Sequence, residues 1–190
     1  MNPHRELELK AVVRDAERLR RRLREAGAER SFGGRMTDVR YDRGVELTSR
    51  DEVLRARTLR RAEGIGEFVL GWKGPTQRSA DGYKLRDEIE LAVGADPGHL
   101  LQALGYEPVQ VIEREIEVWH LDGATARLER YPHMDVLVEV EGEPAAIERI
   151  VALSGIPRSE FTAEPLAEFV RRFQERTGGA AELEGTAPPW

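Results

Sequence analysis

The residues best suited to chemistry stand near the start of the chain, where Glu6, Glu8 and Lys10 alternate with Leu7 and Leu9. A two-residue period is typical of a β-strand, which places alternate side chains on opposite faces. Two carboxylates and an ammonium therefore share one face of the predicted strand. Alternation of this kind also suits a sheet face that is covered by water, so a functional interpretation needs support from the rest of the chain.

Later segments repeat this spacing of charged side chains. The repeats are Glu88 and Glu90, Glu139 and Glu141, and the basic pair Arg55 and Arg57. Rows of acidic side chains on some strands and basic side chains on others favour the lining of a polar cavity over a solvated surface.

Carboxylates gathered in such a cavity repel one another. Two like charges about 4 Å apart repel by roughly 4 kcal/mol at an effective dielectric constant of about 20, so several such pairs stay ionised only beside a cation. Oxygen ligands without cysteine select hard ions such as Mg²⁺ or Mn²⁺. The candidate acids are Glu6, Glu8, Glu129, Glu139 and Glu141.

A set of basic side chains on the other side of the predicted cavity indicates an anionic ligand. Guanidinium groups bind phosphate oxygens in pairs, and Mg²⁺ accepts phosphate oxygens as further ligands. The candidate bases are Lys10, Arg55, Arg57, Lys73 and Arg86. So many donors suit an elongated, highly charged anion, and a chain of phosphates fits better than a single carboxylate.

The composition limits the functions open to this chain of 190 residues. A net charge of −6 argues against nucleic acid as the main partner, because binding a phosphate backbone needs a basic surface. The absence of cysteine excludes disulfides and thiolate metal sites. The sequence contains no long apolar run, so we expect neither a signal peptide nor a membrane span, and a cytoplasmic protein is the default.

The alternating segments, with helical patterns at several connections, predict an α+β fold. Antiparallel strands of this kind can close into a barrel with their polar faces inside. We therefore expect an eight-stranded antiparallel β-barrel with flanking helices over residues 1–176. The small, acidic segment 177–190 is predicted to be a disordered C-terminal tail.

Several of these segments resemble the motifs of one known family. Glu6-x-Glu8-x-Lys10 is similar to the E-x-E-x-K signature of the CYTH superfamily, also called triphosphate tunnel metalloenzymes. Residues 38–42, 54–57, 72–75, 86–90, 138–142 and 159–166 resemble, in order, its D-x-Y-(Y/F)-D, L-R-x-R, T-x-K-G-P, R-x-E-x-E, E-x-E-G and S-Y-x-x-L segments. As a set, the motifs resemble this family from the first strand to the last predicted helix.

The resemblance implies a tunnel that binds triphosphates with Mg²⁺ or Mn²⁺. By position, it implies that the metal ligands are Glu6, Glu8, Glu139 and Glu141, with Glu129 where the family usually has aspartate. It implies that phosphate is bound by Lys10, Arg55, Arg57, Lys73 and Arg86. The strand that supplies a K-x-R pair in the family reads Glu113-Arg114-Glu115 here, so only Arg114 remains from that pair.

Three functions fit these expectations. The first is a metal-dependent hydrolase of inorganic tripolyphosphate or of an organic triphosphate such as thiamine triphosphate or a nucleotide, with Glu8 and Lys73 as catalytic candidates. The second is a class IV adenylate cyclase, which makes cyclic AMP and pyrophosphate from ATP. The third is a non-catalytic binder of polyphosphate or nucleotide, which the acidic residues around Arg114 favour. We expect the protein to be a monomer or a homodimer.

Overall fold

Alternating segments form the strands in the computed structural model, which describes residues 4–61, 64, 66–188 and 190. The strands are β1 (His4–Val12), β2 (Glu29–Asp42), β3 (Val53–Arg60), β4 (Glu67–Lys73), β5 (Gln77–Arg78), β6 (Lys84–Val93), β7 (Glu107–Leu121), β8 (Ala124–Arg130) and β9 (Leu137–Glu141). The helices are α1 (Ala16–Glu25), α2 (Gly98–Ala103), α3 (Pro144–Ser154) and α4 (Leu166–Thr177). Among the described residues, no helix is long and apolar enough to cross a membrane.

The sheet closes on itself. Its strands follow the order β1-β9-β8-β7-β2-β3-β4-β6, and β1 also pairs with β6, while the short β5 adds to β6. Every one of these pairings is antiparallel. The predicted α+β fold, an eight-stranded antiparallel barrel with flanking helices, is confirmed.

The main apolar core lies outside the barrel, between the sheet and two helices. Leu19 and Leu23 of α1 and Ile147 and Ile150 of α3 pack in one cluster with outward-facing strand residues such as Leu9. Because the outer faces of these strands are apolar, the alternate positions that carry charge point into the barrel. This arrangement gives the barrel a polar interior.

Helix α4 closes one end of the barrel. Its Phe169 packs against Ile112, Tyr131 and Leu137, which lie on inward faces of β7 and β9 and just beyond β8. Its buried residues Phe169 and Phe173 are one helical turn apart, which is the spacing of an amphipathic helix.

Residues 178–188 and Trp190 lie against the barrel and helix α1. Glu182 and His133 exchange backbone hydrogen bonds of 2.9 and 3.2 Å, and the amide of Glu113 donates to the carbonyl of Leu183 at 2.7 Å. The ring of Trp190 stacks against the guanidinium group of Arg20, 4.2 Å from the ring centroid. The sequence predicted disorder here, and the behaviour of this segment in solution stays a prediction.

Asp42 organises the loop that follows β2. Its carboxylate accepts hydrogen bonds from the backbone N–H groups of Arg43, Leu47 and Thr48 at 2.7, 2.9 and 3.0 Å, and from the Thr48 hydroxyl at 2.6 Å. These donors outweigh the effect of burial and lower the pKa of Asp42 from 3.8 to about 2. The same loop carries the Asp51 carbonyl, which accepts a 2.6 Å hydrogen bond from Arg86 inside the barrel.

We predict that Asp42→Ala lowers the free energy of unfolding by roughly 2 kcal/mol at neutral pH, because it strips partners from several amides at once. A lowered pKa stabilises the fold fully above the unfolded value of 3.8, and this contribution is lost as pH falls through about 2. Urea denaturation should therefore show a wild-type advantage that shrinks between pH 4 and pH 2. Asp81→Ala, at an exposed turn, is the control and should change little. A pH-independent difference would contradict the prediction.

Candidate active site

The charged side chains of the strands meet in one cavity inside the barrel. The cavity has a volume of about 420 Å³, within the usual range for ligand sites. Nine basic side chains line it, against five acidic ones. The bases are Lys10, Arg40, Arg55, Lys73, Arg78, Lys84, Arg86, Arg114 and Arg127, and the acids are Glu8, Asp38, Asp51, Glu129 and Glu139. The chain is acidic overall, yet this cavity is positive.

Four glutamates of β1 and β9 form a cluster, which we call the acidic quartet: Glu6, Glu8, Glu139 and Glu141. Strands β1 and β9 are neighbours, with Glu8 opposite Glu141 and Lys10 opposite Glu139. One carboxylate oxygen from each glutamate lies within 4.8 Å of the others. The sequence placed these four among the metal ligands, and the structure brings their oxygens close enough to share one ion.

The quartet members differ in how firmly they hold a proton. Burial raises the pKa of Glu141 to about 7; Arg127 opposes this rise, while Glu6 and Glu8 add to it. Glu8 behaves in the opposite way, because Lys10 and Lys84 outweigh its burial and hold its pKa well below the usual range. Contact with cations therefore lowers the pKa of Glu8 and opposes the rise in the pKa of Glu141.

Those cations come from the barrel itself. Lys73 donates to Glu6 at 2.6 Å and Lys10 donates to Glu8 at 2.7 Å. Lys84 also pairs with Glu8, and Lys10 also pairs with Glu139. Two of these lysines, Lys10 and Lys73, were predicted from the sequence to bind phosphate. In this structure they neutralise the acidic quartet.

A second network occupies the neighbouring part of the interior. Asp38 accepts from Arg57 at 2.8 Å and from Arg114 at 2.9 Å, and Glu129 accepts from Arg114 at 3.1 Å and from the Tyr131 hydroxyl at 2.7 Å. Against the effect of burial, Arg114 and Arg127 lower the pKa of Glu129 to about 2. Glu129 is thus held by cations and lies outside the quartet, so its role as a metal ligand stays a prediction.

Two arginines of the cavity are bound mainly by neutral groups. Arg86 donates to the carbonyls of Gly74 and Asp51, both at 2.6 Å, and Arg40 donates to the Gln110 side chain at 2.9 Å. Burial lowers the pKa of Arg40; Asp38 opposes this fall and Arg55 reinforces it. These arginines keep positive charge that an anion can use.

Comparisons with known proteins identify the fold. No family model matches the chain, and no curated protein matches it either. Among solved structures, a protein from Vibrio parahaemolyticus named as a proposed adenylate cyclase has a TM-score of 0.74 at 18% identity, covering 89% of this chain and 99% of that chain. The chain has the CYTH fold.

Two further structures with high coverage agree. The PH1819 protein from Pyrococcus horikoshii has a TM-score of 0.70 at 24% identity, over 88% of this chain and 98% of that chain. HpAC1 from Hippeastrum, described as having a dominant triphosphatase activity, has a TM-score of 0.62 at 16% identity, over 95% of this chain and 100% of that chain. At such identities, the likeness establishes the CYTH fold and leaves the substrate of this chain open.

Within the CYTH fold, the structure places most of the predicted residues in one site. Arg114 lies on the same face of β7 as Ile112, and both residues line the cavity. The Arg57 side chain also points into the barrel, but it does not line the cavity. It forms ion pairs with Asp38 and, at 3.1 Å, with Glu90. No comparison tests the individual roles of these residues, which remain proposals.

Sequence analysis missed six charged residues that line the cavity: Asp38, Arg40, Asp51, Arg78, Lys84 and Arg127. A signal was present for four of them. Lys84 shares its alternating face with Arg86, Arg127 lies two residues before Glu129, and Asp38 and Arg40 have the same two-residue spacing. The alternation showed that each pair shares a face, but only the closed sheet showed that these faces meet.

Arg114 links two buried carboxylates, and this generates a prediction about stability. Removing one partner of a buried ion pair typically costs about 3–5 kcal/mol, because the remaining charges stay buried with fewer partners. We expect Arg114→Ala to lower the free energy of unfolding by about this amount, measured by urea denaturation at neutral pH. Arg35→Ala, at a half-exposed ion pair on the outside of β2, should cost about 1 kcal/mol or less. Equal losses would contradict the prediction.

Proposed function

We propose that the protein is a divalent-metal-dependent hydrolase of triphosphates, inorganic or organic. The observation that carries this proposal is an acidic quartet, two of whose members line the cavity, beside a larger set of basic side chains. A divalent cation matches the quartet and a polyanion matches the basic side chains. A metal–triphosphate complex carries both the cation and the polyanion in a single ligand.

The donor set of the quartet fits Mg²⁺ or Mn²⁺. It consists only of carboxylate oxygens, which these hard ions prefer, and the spacing of 4.8 Å or less is compatible with a shared ion. Glu6, Glu8, Glu139 and Glu141 would hold the metal. A divalent cation bound there would neutralise charge that develops on phosphate oxygens during hydrolysis.

The basic side chains fit a chain of phosphates. Among the described residues, Nε of Arg55 and Nη1 of Arg114 are buried without a hydrogen-bond partner. Buried donors are almost always paired in proteins, so unpaired ones inside a positive cavity favour an anionic ligand. Arg40 and Arg86, hydrogen-bonded mainly to neutral groups, add two positive charges that would attract it.

The chain's own residues can be given roles in hydrolysis. Water attacks the terminal phosphorus, and the bond to the bridging oxygen breaks. Lys73, which lies 2.6 Å from Glu6 and 3.2 Å from Glu88, would donate to the bridging oxygen as negative charge builds on it. Glu8, at the centre of the lysine contacts, would orient the attacking water. Positioning and electrostatic stabilisation should supply most of the rate enhancement.

A second candidate function uses the same cavity as a cyclase. The likeness to a Vibrio parahaemolyticus protein named as a proposed adenylate cyclase favours it. In that reaction, the ribose 3′-hydroxyl of ATP attacks the α-phosphorus and pyrophosphate leaves. The hydrolase is preferred because the charges described above account for recognition of phosphates, while no group in the site has been assigned to adenine or ribose.

One assay separates these functions. The protein is incubated with tripolyphosphate, thiamine triphosphate or ATP, each with Mg²⁺ or Mn²⁺, and phosphate, pyrophosphate and cyclic AMP are measured. Metal-dependent release of phosphate supports the hydrolase, and cyclic AMP with pyrophosphate supports the cyclase. Binding of all three compounds without any turnover would overturn the enzymatic proposal and leave a polyphosphate or nucleotide binder.

Glu8→Gln should reduce metal-dependent turnover by a factor of about 100 or more, because it removes a charged oxygen from the quartet. The measurement is kcat with saturating Mg²⁺ and substrate, together with circular dichroism to confirm that the barrel is intact. Glu107→Gln, an exposed position on the outer barrel, is the matched control and should retain the wild-type rate. Undiminished activity in Glu8→Gln would remove Glu8 from the site.

A further inference from the structure

Arg127 on β8 lines the cavity and forms ion pairs with two members of the acidic quartet. The proposed hydrolysis gives it no role. Arg127 lies opposite Glu139 in the sheet and is largely buried. Its guanidinium group donates to Glu129 at 3.0 Å and to Glu141 at 3.2 Å, and it also pairs with Glu139. Two of its three partners belong to the quartet, and the third, Glu129, does not.

The contacts of Arg127 differ from those of the lysines around the quartet. Lys73 and Lys84 each contact one member, Glu6 and Glu8 respectively, and Lys10 lies between Glu8 and Glu139. Arg127 bridges both glutamates of β9. Among the described residues, Arg127 alone forms an ion pair with Glu141. A planar, forked guanidinium group suits such a bridge better than an ammonium does.

We propose that Arg127 is the exchangeable counter-ion of the metal site, occupying the Glu139–Glu141 side until a divalent cation takes its place. This inference rests on the proposed function. A cation shared by the quartet must lie against the carboxylates that Arg127 now binds, and two positive groups cannot share them without strong repulsion. The guanidinium group would leave Glu139 and Glu141 and keep Glu129 as its anchor.

The exchange has a consequence for what the site accepts. Arg127, once displaced, carries a positive charge inside the barrel and needs a new anion, which a triphosphate supplies. Free metal is therefore disfavoured, while metal that arrives with triphosphate is favoured. In thermodynamic terms, Arg127 couples the two ligands, so that each raises the affinity for the other.

The test measures Mn²⁺ binding by electron paramagnetic resonance and calorimetry in the absence of triphosphate. Arg127→Gln removes the competing charge and should tighten Mn²⁺ binding at least tenfold relative to wild type. Arg127→Lys keeps the charge and should stay within about threefold of wild type. Arg40→Gln removes a cavity charge that contacts no quartet glutamate, and its effect should be clearly smaller than that of Arg127→Gln.

Unchanged or weaker Mn²⁺ binding in Arg127→Gln would overturn the inference. Should that variant fail to fold, crystals of the wild-type protein soaked in Mn²⁺ give a second test. The guanidinium group of Arg127 is expected to have left Glu139 and Glu141, and a guanidinium still bound to both beside a bound ion would overturn the inference. Wild-type protein that binds no Mn²⁺, with or without tripolyphosphate, would instead refute the proposed function.

Discussion

The whole arrangement depends on the pairing of charges inside a closed sheet. Moving a charged side chain out of water costs several kcal/mol unless partners compensate it, and twelve charged side chains among the described residues are buried inside this barrel. The outer faces of the strands hold the apolar core with α1 and α3, so the alternate positions must face inward. Each interior charge is therefore tolerated because another strand brings an opposite charge or a hydrogen-bond partner to it.

The same pairing explains how the site can serve a ligand. Without a ligand, lysines and Arg127 neutralise the acidic quartet, and Arg57 and Arg114 neutralise Asp38. A bound metal ion would replace the basic partners of the quartet, and a bound polyphosphate would replace the acidic partners of the arginines. On the proposed function the interior would have two compensated states, and the ligand-bound one would require both a cation and an anion.

Much of this could be predicted from the sequence, because alternation reports which face a side chain shares. It predicted the inward faces of β1, β6 and β9, and the family resemblance joined Glu6 and Glu8 to Glu139 and Glu141. It did not predict the ion pairs of Glu129 with Arg114 and Arg127, nor the hydrogen bonds of Glu182 and Leu183 with the barrel. Such contacts depend on register between strands far apart in sequence, which periodicity within one strand cannot report.

We propose that the quartet and the basic side chains of the cavity together hold a metal–polyphosphate complex. Anomalous diffraction at the manganese edge, from crystals grown with Mn²⁺ and tripolyphosphate, would show where both components lie. We expect a manganese peak within about 2.5 Å of oxygens from Glu6, Glu8, Glu139 or Glu141, with phosphate density running toward Arg40 and Arg86. An empty barrel interior, with manganese and phosphate only on the outer surface, would contradict the proposal.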